Sequence, residues 1–338
     1  MTALDDRLAI YRPHIVREMR EIVGEDRARL YSWMRYHLGW EDPEGNPAET
    51  SPGKLLRPAS LLLAAEALGG KLDQALPAAA AVQLVHDFSL LHDDIEDESE
   101  TRRGRATLWT ITGIAQAINS GDGMYTLSRI ALLRLRDRGV DAQRTLDVIS
   151  ELEQACLRLI EGQQLDISFE DRSSVTRDEY LAMIEGKTAA LLAACFAIGA
   201  RVAGAPEQSV DAMREFGRRC GLAFQAADDL LGIWGDPAVT GKPVGDDLIS
   251  RKQTYPVIAA IESGEAPALQ AAYRERAGAS IDIAALAAEI EAAGARAATE
   301  ELAAEQVEAA LAALALLSLG DDRTLFGDLA ELLAARDA

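Results

Sequence analysis

LVHDFSLLHDDIED, residues 84–97, is the stretch on which the reading of this chain turns. Val82, Leu84, Val85, Phe88, Leu90 and Leu91 recur at helical intervals, so it reads as a buried helix that ends in acid. Asp93 and Asp97 are four positions apart and share one helical face, with their β-carbons about 5–6 Å apart. An unpartnered carboxylate is costly to bury. Two carboxylates so placed suit Mg²⁺, which takes a few such ligands and completes its shell with water and phosphate oxygens. Asp94 points partly away and is a further candidate ligand. Alone, the string also fits a solvated helix face; its apolar approach argues against that. A second acidic pair, Asp228-Asp229, stands behind Phe224-Gln225 in another apolar helical stretch.

Working outward, basic residues flank the first acids. Arg102-Arg103-Gly104-Arg105 follows them closely, and guanidinium forks bind phosphate oxygens bidentately. Upstream, Gly53-Lys54-Leu55-Leu56-Arg57-Pro58 places Lys54 and Arg57 three apart on the predicted first turn of a helix, whose free N–H groups favour anions. His86 lies seven residues before Asp93, two turns away on the same face. Taken alone it reads as a core histidine; beside these residues it reads as a ligand.

Bulk properties exclude several classes. Acidic residues outnumber basic ones by 55 to 34, for a formal net charge of −21. A general nucleic-acid or anionic-membrane binder normally carries a basic face instead. Cys156, Cys195 and Cys220 lack CxxC spacing and form neither a disulfide framework nor a zinc site; they read as buried thiols in a reducing compartment. Met1 to Arg20 is charged throughout, without the apolar core of a signal peptide. The longest clean apolar run, Ala189 to Ala200, is about 12 residues against the about 20 a bilayer span needs. The expectation is a cytoplasmic protein with no transmembrane segment.

Strand signals are nearly absent, and no GxGxxG loop follows a strand. Ala, Leu and Glu dominate, and apolar residues recur at three and four positions, as in Leu55, Ala59, Leu62, Leu63 and Ala67. Breakers divide the chain into long helices: a loop over 41–53, then stops at Gly69-Gly70, Gly121-Asp122-Gly123, Gly139, 171–174, 204–206, 235–237 and 278–280. A helix is predicted to open near Pro77. No linker separates distinct halves, so residues 1–338 read as a single all-α domain, with plain structural helices from about Ala266 onward.

Eight strings now stand in order: GKLLRP at 53–58, LVHDFSLLHDDIED at 84–97, RRGR at 102–105, EGQQLD at 161–166, GKT at 186–188, FQAADD at 224–229, TGKPVGDDL at 240–248 and RKQTYP at 251–256. Together they resemble the trans-isoprenyl diphosphate synthases, the short-chain all-trans prenyltransferases such as farnesyl and geranylgeranyl diphosphate synthases. The resemblance implies an isoprenoid synthase-type bundle of long helices around a deep central cavity, with the acidic motifs facing each other at its mouth. It implies ionisation of an allylic diphosphate (dimethylallyl, geranyl or farnesyl), attack by isopentenyl diphosphate and loss of a proton to the released diphosphate. Mg²⁺, about three ions with substrate bound, would be held by Asp93, Asp97 and Asp228, with Asp94 and Asp229 as further candidates. By position, Lys54, Arg57, His86 and Arg103 would hold the isopentenyl diphosphate. Arg102, Lys187, Lys242 and Lys252 would surround the allylic diphosphate, Lys187 and Lys242 counting with the three acids as catalytic. Thr188 and Gln225 would steady the intermediate. A homodimer is the family expectation.

One departure stands out. The second motif reads Asp228-Asp229-Leu230-Leu231-Gly232, without the third acid usual in the family. Product length is implied by Phe88, five residues before Asp93 and about 7.5 Å deeper along a helix, with the small Ser89 beside it. The ring should block chains beyond the farnesyl-to-geranylgeranyl range, which favours geranylgeranyl diphosphate, with farnesyl diphosphate the alternative. Two rivals of other classes are a class I terpene cyclase and a non-catalytic subunit of a heteromeric prenyl synthase. The first normally pairs its Asp-rich motif with an Asn/Ser/Glu triad, and the second usually loses metal or diphosphate ligands.

Overall fold

Helix-forming Ala, Leu and Glu carry this chain into an all-α fold. A computed structural model describes residues 2–26, 28–48, 50, 53–170, 172, 174–236, 244–274 and 282–335. Among these the regular structure is helical, apart from one hairpin of two-residue strands, β1 (Thr101–Arg102) and β2 (Arg105–Ala106). By packing, the chain divides into two compact units, residues 1–153 with 195–210 and residues 154–194 with 211–338.

The first unit holds α1 (Ala3–Val23), α2 (Arg29–His37), α3 (Leu56–Ala67), α4 (Leu72–Glu96), α5 (Leu108–Thr112) and α6 (Ile114–Leu133). It also includes the first part of α7 (Ala142–Glu170) and most of α9 (Ala190–Ala203). Thr2 starts α1 with a capping box, exchanging hydrogen bonds with Asp5. Every residue of α4 from Ala75 to Val85 is buried, as suits a helix that is apolar all round. It packs mainly on α6, then on α3 and α1.

The sequence expectations need four corrections here. Gly121-Asp122-Gly123 does not end a helix but lies inside α6. Tertiary packing overrides propensity there: a β-carbon at Gly121 would meet the His92 ring, and Gly123 lies against Met34. The helix expected to open near Pro77 begins five residues earlier, at Leu72. Lys54 lies outside α3, because Leu55 takes a left-handed conformation at the N-cap (φ 51°) and the helix starts at Leu56. Finally, the run Ala189 to Ala200 belongs to a longer continuous helix, Arg177–Ala203, which is long and apolar enough to cross a membrane. Within its apolar window 72% is buried, as in a core helix.

The second unit contains the remainder of α7, α8 (Arg177–Ile184), most of α10 (Glu207–Trp234), α11 (Asp246–Ile249) and α12 (Tyr255–Ser263). Then follow α13 (Pro267–Arg274), α14 (Ile283–Ala292), α15 (Ala295–Ala313) and α16 (Asp322–Ala335). A π-helical turn, Glu185–Ala189, continues α8. Thr176 caps α8 through a second capping box with Glu179. One apolar cluster joins Ile233, Leu248, Val257, Leu269, Tyr273 and Ile290; another joins Phe169, Tyr180, Met183, Leu222, Tyr255 and Ile258. The helices after Ala266 close this core, as the sequence implied. The stop at 278–280 lies outside the described residues.

Candidate active site

In the first unit the site is built on the end of α4. Asp93 sits in its last turn and Asp97 is its C-cap, the Asp97 N–H donating to Asp93 O at 2.8 Å. Asp93 is half-buried and Asp97 exposed. A helix C-terminus carries partial negative charge, and this last turn has no basic residue, so two carboxylates there call for a cation. That cation arrives partly by way of the hairpin. Arg103 and Gly104 both have positive φ (53° and 71°), the two-residue turn whose twist matches a tight hairpin. Gly104 takes that shape freely, and Arg103 takes it at the tip. The turn brings Arg102 back over the acids: its Nε donates to Asp94 Oδ1 at 2.7 Å and its Nη2 to Asp93 Oδ2 at 3.3 Å. Asp94 is buried, its Oδ2 has no hydrogen-bond partner, and burial pushes its carboxyl above the ordinary range against the pull of Arg102.

Beside the hairpin lies a cavity of about 310 Å³ lined by Tyr36, His37, Gly53, Asp94, Arg102 and Arg103, among others. Arg105, though part of the basic string, is used structurally. It stacks on Tyr36 at 4.1 Å and donates to the Tyr36 carbonyl at 2.7 Å, while the Tyr36 hydroxyl donates to Ala106 O at 2.7 Å. Lys54 is exposed and follows in sequence Gly53, which lines the cavity. Arg57 Nη1 stands 3.4 Å from His86 Nε2. A guanidinium can only donate, so Nε2 must be unprotonated to accept. Burial, then Arg57, Arg103, Arg102 and His37, hold His86 well below its ordinary pKa.

This gives a pH prediction. The folded chain binds fewer protons at His86 than the unfolded chain does, so stability falls as pH drops below about 6.5, the unfolded value, until the folded value is reached. Thermal unfolding of wild type and His86→Gln between about pH 7 and pH 5.5 should show a smaller loss of Tm in the variant. Equal losses would exclude His86 as the source.

Further along α4, Ser89 Oγ donates to His86 O at 2.8 Å. Phe88 is 7% exposed, and its ring meets Tyr125 edge-on at 5.0 Å and His92 at 5.6 Å.

In the second unit, Gly162 of α7 and Gly186 of the π turn touch so closely that a β-carbon at 162 would collide with the Lys187 backbone. That contact fixes Lys187 and Thr188. Lys187 Nζ pairs with Asp166, and the Thr188 hydroxyl donates to Gln225 Oε1 at 2.9 Å. Asp228 is half-buried on α10. Asp229 is 3% exposed and accepts from the Tyr180 hydroxyl, the Tyr255 N–H (2.8 Å) and Gln225 Nε2 (3.1 Å). Burial pushes its carboxyl up to about 7, although those three donors pull it down. Gly232, where a third acid was absent, lies against the Asp247 carboxylate; a β-carbon there would overlap it. An acidic side chain at 232 would thus have to displace Asp247. Lys252 is exposed, and Lys242 lies outside the described residues.

The donors in both units are carboxylate oxygens, the hard ligands that Mg²⁺ prefers. Among the described residues no three His, Cys, Asp or Glu side chains converge into a preformed cage. Sequence reading did not single out Asp166, Tyr180, Asp247, His37 or Tyr125. Asp166 and Asp247 lie inside quoted strings, and Tyr180 lies seven residues before Lys187, a spacing that marks a shared helical face.

Comparison with known proteins gives the family. Residues 47–290 match the polyprenyl synthetase family. A geranylgeranyl diphosphate synthase of Mycobacterium tuberculosis is 43% identical over 291 residues, 85% of this chain and 82% of that protein. A (2E,6E)-farnesyl diphosphate synthase of Mycobacterium bovis is 49% identical over 229 residues, 68% of this chain and 62% of that protein. The crystal structure of a polyprenyl synthetase from Streptomyces coelicolor A3(2) superposes with a TM-score of 0.91 at 40% identity, covering 98% of this chain and 99% of that one. A geranylgeranyl pyrophosphate synthase from Corynebacterium glutamicum, complexed with isoprenyl diphosphate and magnesium, gives 0.82 at 27% identity over 99% and 100%. On the family match and these relatives, the chain belongs to the polyprenyl synthetase family of prenyltransferases.

Proposed function

We propose that the chain, acting as one catalytic domain over residues 1–338, condenses isopentenyl diphosphate with an allylic diphosphate. The favoured product is geranylgeranyl diphosphate. The observation that carries this reading is the arginine-lined cavity set directly against the acids of α4, an anion site beside a cation site. Asp93 and Asp97 of the first unit and Asp228 of the second bind Mg²⁺, about three ions with substrate present. When bound, Mg²⁺ supplies Lewis-acid stabilisation of the diphosphate leaving group.

The chain's own residues do the rest. Arg103, Lys54 and Arg57 neutralise isopentenyl diphosphate, with neutral His86 steadied by Arg57. Arg102, Lys187, Lys252 and Lys242 surround the allylic diphosphate. Thr188 and Gln225, joined by a hydrogen bond, orient the allylic end, and the isopentenyl double bond then attacks the cation. The departing diphosphate takes the proton. Farnesyl diphosphate is the second reading, favoured by the 49% identity to a farnesyl synthase.

Incubation with isopentenyl diphosphate, each allylic primer and Mg²⁺ tests the reading. A linear product ending at geranylgeranyl supports it; a cyclic hydrocarbon, or no product, overturns it. The protein works in the cytoplasm, in keeping with its buried cysteines. It also pairs with a second copy: α6 exposes Ile114, Ile118, Ile130 and Leu133, and α7 exposes Leu146, Leu157, Ile160 and Ile167. A monomer by sedimentation would overturn the pairing.

A further inference from the structure

Asp228 and Asp229 are neighbours in sequence but not in circumstance. Asp228 is half-buried, whereas Asp229 points into the packing between α10, α8 and α12. Both of its oxygens are engaged. Oδ2 accepts from the Tyr180 hydroxyl and from the Tyr255 N–H, and Oδ1 accepts from Gln225 Nε2. A buried carboxylate with that many donors is satisfied without a metal.

The arrangement has a direction. A carboxylate only accepts, so Gln225 must turn its NH₂ toward Asp229 and its carbonyl the other way. That carbonyl accepts a hydrogen bond from the Thr188 hydroxyl at 2.9 Å. With its proton so directed, Thr188 Oγ1 offers lone pairs to whatever approaches it. Lone pairs suit a developing positive charge and repel a phosphate oxygen. Reversing the Gln225 amide would reverse that polarity.

We propose that Asp229 and Tyr180 are positioning residues. They lock the Gln225 amide so that Thr188 presents an acceptor to the allylic end of the substrate, and they do not contribute a metal ligand. The inference rests on the prenyltransferase reading above. Tyr180 acts through Asp229, and Asp229 through Gln225.

Tyr180→Phe removes one hydroxyl and keeps the ring in its cluster with Tyr255. It should lower kcat about tenfold, the effect of one hydrogen bond to a charged group, with KM for both diphosphates within about twofold of wild type. In a Gln225→Ala background the same change should add nothing, because the line of action is already cut. Asp229→Asn provides a second variant. It should lower kcat similarly, yet Mg²⁺ with inorganic diphosphate should raise its Tm by the same increment as in wild type. Full activity in Tyr180→Phe, additivity with Gln225→Ala, or a lost Mg²⁺-diphosphate increment in Asp229→Asn would each overturn the inference. An inactive wild-type chain would instead overturn the prenyltransferase reading beneath it.

Discussion

Asp93→Ala is expected to lower kcat by on the order of 10²–10³-fold, the range seen when one electrostatic partner of a developing charge is removed. The same substitution should leave the fold intact. Asp93 stands in the last turn of α4, where its negative charge opposes the helix dipole, and it pairs with Arg102 at 3.3 Å. Arg102 keeps its shorter bond to Asp94 at 2.7 Å. Relief of the unfavourable dipole contact, about 0.3–1 kcal/mol, offsets much of the lost ion pair. Initial rates with isopentenyl diphosphate and an allylic primer at saturating Mg²⁺, beside thermal unfolding without metal, separate the two effects. A rate within tenfold of wild type would remove Asp93 from the metal-binding set.

Phe88→Ala should move the product distribution to chains longer than the parent product. The ring is 7% exposed and is held edge-on by Tyr125 and His92, so its removal leaves a void, which on the proposed reading lies where the growing chain stops. It should also cost about 3–5 kcal/mol of stability, as large-to-small core changes do. Chromatography of the dephosphorylated products reads the first effect and a fall in Tm the second. A destabilised variant with the parent product would show that Phe88 only packs the core.

Much of this site could be read from the sequence because it is local. The acids, the apolar run before them and the helix that joins them are one stretch of chain, which α4 carries without a break to Glu96, although it begins five residues before Pro77. The hairpin of Arg103-Gly104 was present as a string, although its left-handed turn was not deduced. What stayed hidden depends on approach between elements. Nothing in Gly121-Asp122-Gly123 announces that a histidine ring needs the space of a side chain there. Nothing near Gly232 announces Asp247, which comes from α11. Nothing beside Asp229 in the sequence announces the Tyr180 hydroxyl and the Tyr255 N–H, which reach it only through the packing of α8 and α12 onto α10. Propensity does not foresee the left-handed Leu55, which leaves Lys54 outside α3.

The continuity of α4 sets how this protein can change over time. Phe88 and Asp93 are carried on one unbroken rod, each step of which advances about 1.5 Å and turns about 100°. A single inserted residue between them would swing the ring away from the direction of the acids, while a simple exchange at 88 or 89 alters the depth without disturbing the clamp. Given the proposed chain-length role of Phe88, a lineage built on this helix can revise the length of its product by swapping side chains, and is penalised for altering the number of residues between them.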